Sequence, residues 1–207
     1  MNRIITIGRQ FGSGGRELGR RLAEELGIEY YDREIIEQIA QKTSFSQDYV
    51  RQVVEGKNHR LYPITINSTF NTFAVEQHAQ MLQTVFEAQI QTLREMAELS
   101  DCVIVGRCAD YFLREYRPFR IFVYADLESR VQRCLERSDD DEVLEGKELR
   151  RQIKKIDRTR ARYYTDCTGQ TWGDKAYYDL CLNTTGKNIK LLVPSLARML
   201  RDETPAE

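Results

Sequence analysis

Short apolar runs alternate along the chain with longer stretches whose apolar residues recur at helical spacing. Ile4, Ile5 and Ile7 form a β-branched run of the kind found in buried strands, and Leu18, Leu22 and Leu26 then recur every fourth residue, which predicts a helix. Gly27 stands where a C-cap glycine would end it. A minor strand is predicted at 28–31. Asp32, followed by Glu34, Ile35, Ile36 and Ile39, reads as the cap of a second helix, and a short third helix is predicted over 47–55. The stretch 56–71 contains Pro63 and has no usable period. Its Tyr62, Ile64, Ile66 and Phe70 are too apolar for a free linker, so ordinary loop packing is favoured over ordering on a ligand or partner.

One long helix is predicted over 73–99, where Val75, Ala79, Leu82, Phe86, Leu93 and Ala97 make a stripe at four- and three-residue steps. Gln89 falls within that stripe. A buried amide needs hydrogen-bond partners, so Gln89 is either part of a structural network or a ligand contact. Packing against the chain's own sheet is the commoner use of such a stripe, with a homodimer as the alternative. Further strands are predicted at 102–105, 119–124 and 178–182. Leu127, Val131 and Leu135 mark a helix after the second of these, and a last helix runs to about residue 200. Strands alternating with helices predict an α/β fold with a parallel sheet of about five strands and helices on both faces.

At 207 residues the chain fits one sizeable domain. The net charge of -1 offers no global attraction to nucleic acid or a membrane surface, so any ionic site must be local. Five scattered cysteines without a CxxC pair argue against a disulfide framework and a zinc site, and no stretch approaches the ~20 apolar residues of a membrane span. A soluble, cytoplasmic protein with reduced thiols is expected.

Local charge is concentrated in two places. After an acidic run at 138–142, a helix expected over about 147–164 carries Arg151, Lys155, Arg158 and Arg162 at four-, three- and four-residue steps, hence on one face. That face is either solvated, with Glu148 and Asp157 offsetting part of the repulsion, or built to receive phosphate oxygens through the planar fork of arginine. The other place is the first strand-to-helix connection. Gly12, Gly14 and Gly15 allow close backbone approach to a ligand, and the following helix N-terminus favours phosphate.

A complete P-loop reads GxxxxGK[ST], in which the lysine meets the β- and γ-phosphates and the hydroxyl holds magnesium. Here Gly15 stands where the lysine is expected and Glu17 near the hydroxyl position, whereas a shift of one residue gives the lysine's place to Arg16. Ser13 offers a hydroxyl, but at the wrong point of the loop for that role.

The wider pattern comprises GRQFGSGGRELG at 8–19, YYDREII at 30–36, VIVGRCADYFL at 103–113, DRTRARYY at 157–164, then TGQTWGD and YDLCLNT. Together these resemble the cytidylate kinase-like family, a divergent branch of the P-loop nucleoside monophosphate kinases, over nearly the whole chain. The resemblance implies a three-layer P-loop NTPase fold in a single domain, 1–207, with an acceptor-binding insert at about 32–71 and a lid at about 138–174. It implies transfer of the ATP γ-phosphoryl group, assisted by Mg²⁺, to a nucleoside monophosphate, CMP or dCMP first. A nucleotide-binding regulatory module and a kinase for a non-nucleotide small molecule are the alternatives. By position, Gly12, Ser13, Gly14, Gly15 and Arg16 would bind donor phosphates, with Arg9 a second cation. Asp32, Arg33, Gly106, Arg107, Asp110 and, if it is a ligand contact, Gln89 would serve the acceptor. Arg158 and Arg162 match lid arginines, acting in catalysis with Arg16, while Arg160 points to a different helical face. Metal ligands are not assigned.

Overall fold

The computed structural model describes residues 2–56, 69–136 and 146–202, with the backbone alone described for 69–75 and 202. Five strands lie parallel in the order β2-β3-β1-β4-β5, where β1 is Ile4–Arg9, β2 Glu29–Tyr31, β3 Cys102–Val105, β4 Phe119–Tyr124 and β5 Leu180–Asn183. The register sets Ile4 opposite Cys102 and Ile5 opposite Phe119, so β1 is central and its Gly8 and Arg9 run on beside Phe122 and Val123 after β3 has ended.

Because successive strand side chains point to opposite faces, β1 feeds two cores. Ile5 and Ile7 join Val103, Val105, Ile121 and Val123 under α1 (Gly15–Leu26) and α8 (Ile189–Asp202). Ile4 joins Cys102 and Ile104 on the other face, under α2 (Glu34–Thr43), α3 (Gln47–Val54) and α4 (Thr69–Leu99). The remaining helices are α5 (Ala109–Phe112), α6 (Leu127–Leu135) and α7 (Gly146–Thr168). Helices therefore cover both faces of a five-stranded parallel sheet, as the strand-helix alternation predicts.

Two sequence expectations need correction. Asp32 does not cap α2. Arg33 is the N-cap residue and no side chain caps it, because the Asp32 carboxylate is drawn away into an ionic bond with Arg16, and charge-assisted bonds are stronger than a cap to a neutral N–H. The buried face of α4 is also broader than the expected stripe: Val85, Ala88, Thr92 and Met96 join Leu93 and Ala97, since the helix packs on α2 and α3 as well as on the sheet side. The apolar residues Tyr62, Ile64 and Ile66, and the acidic run at 138–142, lie outside the described residues.

Candidate active site

Three segments of interest emerge at the C-terminal ends of neighbouring strands, the usual place for ligands in open parallel sheets. Arg9 ends β1, Gly106 and Arg107 follow β3 directly, and Asp32 follows β2. From β1 the chain passes through a loop closed on itself. The Ser13 N–H and Oγ both donate to the Gln10 carbonyl, at 3.3 and 2.8 Å, so the Ser13 hydroxyl is committed inside the loop. Gly14 then takes a left-handed conformation, φ 85°, to start α1. Outside supports fix the loop: Asp157 of α7 accepts from the Phe11 N–H at 2.7 Å and also from Arg130 of α6.

Arginines dominate the space beside this loop. Asp32, buried, accepts from Arg16 Nε at 2.6 Å, and Arg9 Nη2 approaches its other oxygen at 3.8 Å. Arg160 donates to the Arg9 carbonyl at 3.2 Å and lies over the Phe11 ring. Burial, reinforced by Arg160 and opposed by Asp32, holds the Arg9 guanidinium well below its ordinary pKa. Burial likewise lowers Arg107 and Arg160, against the opposing pull of Glu55 on the first and Asp157 on the second. Four guanidinium groups, those of Arg9, Arg16, Arg107 and Arg160, thus share Asp32, Glu55 and an Asp157 already engaged with Arg130. Burial and the neighbouring cations thus disfavour the charge of Arg9, Arg107 and Arg160, a cost that a bound anion would offset.

Arg107 is aimed into this space by a strained turn. Gly106, Arg107 and Cys108 all have positive φ, at 75°, 60° and 53°, and left-handed non-glycine residues cost of order 1–3 kcal/mol each. Fully buried Gln89 helps to hold the turn: its Nε2 donates to the Arg107 carbonyl at 3.0 Å while its Oε1 accepts from Tyr163 at 2.9 Å. The amide thus belongs to a structural network. The Arg107 guanidinium donates to the Val54 carbonyl at 3.3 Å and reaches Glu55 at 3.7 Å, yet its buried Nε has no partner among the described residues.

Asp110 is not joined to Arg107. It is buried and accepts from the Tyr164 hydroxyl at 2.6 Å. Burial, outweighing the bond from Tyr164, pushes its carboxyl above the usual range. A carboxyl with a raised folded-state pKa binds its proton more tightly folded than unfolded, so stability falls as pH rises from the ordinary carboxylate range through the raised value. Asp110→Asn is expected to remove that fall. Thermal melts across pH should show the variant gaining on the parent as pH rises, and a difference independent of pH would contradict this.

On α7 the expected basic face is solvated: Arg151, Lys155, Arg158 and Arg162 are all exposed, and Arg151 pairs with Glu148 at 2.6 Å. Arg160, on a different face of the same helix, is the arginine that joins the cluster. Beside the cluster a cleft of about 470 Å³ is lined by Arg16, Glu17, Arg20, Tyr30, Asp32, Arg33 and Glu34. The site therefore brings together Arg9, Arg16, Asp32, Gly106 and Arg107 around the loop, with Arg33 on the cleft wall. It leaves Arg158 and Arg162 at the surface and seats Asp110 beside Tyr164. Sequence reasoning missed Glu55, Arg130 and Asp157 as supports, and only the fold brings Asp157 next to Phe11, 146 positions away.

The cytidylate kinase-like family pattern matches residues 4–186. The chain belongs to this family. A relative from Methanopyrus kandleri named cytidylate kinase is 24% identical over 216 aligned residues, covering 98% of this chain and 97% of the relative. One of the same name from Natronomonas pharaonis is 27% identical over 182 residues, covering 87% and 80%. Among solved structures, shikimate kinase from Bacteroides thetaiotaomicron matches with a TM-score of 0.56 at 16% identity, over 96% of this chain and 98% of its own. At that identity the likeness speaks for the fold, that of the P-loop kinases.

Proposed function

We propose that this member of the family transfers the γ-phosphoryl group of ATP to a nucleoside monophosphate, CMP or dCMP being the preferred acceptors. The observation that carries the reading is the under-compensated arginine cluster beside a glycine loop and a helix N-terminus. In phosphoryl transfer the protein mainly positions the reactants and stabilises charge spread over phosphate oxygens, which a set of guanidinium groups can do without a covalent nucleophile. Gly12 to Arg16 would hold the donor with Arg9. Arg107 would hold the acceptor phosphate, and Asp32 with Arg33 would orient the acceptor in the cleft. We place the acceptor segment at about 32–71 and the lid at about 138–174, with Arg160 added to Arg158 and Arg162 as a lid cation.

Magnesium would be held chiefly by phosphate oxygens and water, with Asp32, bonded to Arg16 beside the loop, the candidate protein carboxylate. When bound, the ion would neutralise charge between the β- and γ-phosphates.

The missing loop lysine favours one other reading, a module that binds nucleotide without transferring phosphate. An assay of ADP release coupled to a panel of nucleoside monophosphates and small hydroxylated acids separates the two. The proposal expects release stimulated by a monophosphate, CMP or dCMP foremost. ATP binding in calorimetry with no acceptor-stimulated release would favour the module, and stimulation by a non-nucleotide alone would move the acceptor class.

A further inference from the structure

We propose that Arg9 and Gly15 are a reciprocal exchange of the two ends of a P-loop, with the Arg9 guanidinium taking the place of the missing lysine as the loop's phosphate-binding cation. This deepens the phosphotransferase reading and rests on it. In GxxxxGK the first glycine and the lysine are six positions apart. Counting back six from Gly15, at the lysine position, reaches Arg9, so glycine and cation have changed places within the same frame.

The geometry gives the reason. A Cβ built on Gly15 would lie 2.5 Å from the Arg9 Cβ, closer than side chains approach, and a tight 3.1 Å from its Cγ. Only one of the two positions can carry a side chain, and whichever does so supplies the cation from the same spot. Gly15 has no positive φ, so space rather than backbone conformation excludes its side chain. Further along, a Cβ on Gly106 would lie 1.7 Å from Arg9 Nη1: the guanidinium rests directly on that glycine, beside the turn that aims Arg107. The strand end, the helix start and the turn after β3 are thus all cut away around one arginine.

Arg16 is the competing replacement, and its surroundings are less suited. Its side chain is 53% exposed and bonded to Asp32 at 2.6 Å, so its charge is already answered. The Arg9 side chain is only 13% exposed, and among the described residues its nearest carboxylate oxygen is 3.8 Å away. A buried guanidinium held that loosely is ready to receive phosphate oxygens through its forked donors.

Calorimetric titration of magnesium-ATP into the parent, Arg9→Met and Arg9→Lys tests the charge. Arg9→Met is expected to weaken binding by about 30-fold or more, as loss of a buried charge contact does, while Arg9→Lys stays within about threefold. The exchange itself is tested by Arg9→Gly, Gly15→Lys and the double variant. Each single change should weaken binding, Gly15→Lys with a lowered melting temperature from its clash with Arg9, and the double variant should bind better than either. Parent-like binding by Arg9→Met, equal losses in Met and Lys variants, or a double variant no better than its better single would overturn the exchange while leaving the phosphotransferase reading standing. Failure of the parent to bind ATP at all would remove that reading as well.

Discussion

Arg107→Ala is expected to lower acceptor-dependent ADP release by about 10² to 10³-fold, the usual loss for one preorganised donor, while ATP binding stays within about threefold of the parent. The split follows from where Arg107 sits. It follows β3 beside the cleft-lining Asp32, its buried Nε has no partner among the described residues, and its guanidinium makes a 3.3 Å bond to Val54 and a 3.7 Å approach to Glu55. The pair that truncation removes is a 3.7 Å contact to a Glu55 side chain about one-third exposed, and loss of such a pair has a modest structural cost. In the proposed role the acceptor phosphate, in contrast, loses a forked donor. Initial rates at varied monophosphate, with ATP calorimetry alongside, check this; equal loss of donor and acceptor binding with a lowered melting temperature would mean that Arg107 is structural.

Gln89→Leu should be the most destabilising single change near the site. It removes the donor to the buried Arg107 carbonyl, and an unsatisfied buried polar group costs about 1–3 kcal/mol, whereas the Tyr163 hydroxyl loses its bond to Gln89 but keeps its interaction with Cys167. One such loss implies a fall in melting temperature on the order of 5 °C for a chain of this size. Release of the 106–108 turn should also slow acceptor use, because the turn is strained and Gln89 is one of its restraints. Thermal denaturation measures the first effect, and a melting temperature within about 2 °C of the parent would show that leucine packing compensates for both bonds.

The sheet was legible because its strands are short apolar runs bounded by glycine and polar residues. The runs at 102–105 and 119–124 coincide with β3 and β4. The glycine loop was legible for a similar reason, since three glycines between a strand and a helix have few structural uses. The Asp32 cap failed because local spacing cannot register two arginines from β1 and α1 competing for the same carboxylate. The broad face of α4 was underestimated because its packing on α2 and α3 depends on tertiary layering. Arg160 was harder still. A shared helical face looked like the signal on α7, yet the exposed face carries the regularly spaced cations, and Arg160, off that face, is the one that reaches the Arg9 carbonyl. The exchange between Arg9 and Gly15 was half visible, as an absent lysine, and needed coordinates to show that the two positions compete for one space.

A crystal structure with a non-hydrolysable ATP analogue, magnesium and CMP shows whether Arg9, Arg16, Arg107 and Arg160 surround one phosphate site. The expected result is Arg9 turned from Asp32 onto β- or γ-phosphate oxygens, Arg107 on the phosphate of CMP, and Arg160 within hydrogen-bonding distance of the donor. Phosphates bound elsewhere, with Arg9 still resting on Gly106 beside Asp32, would contradict it.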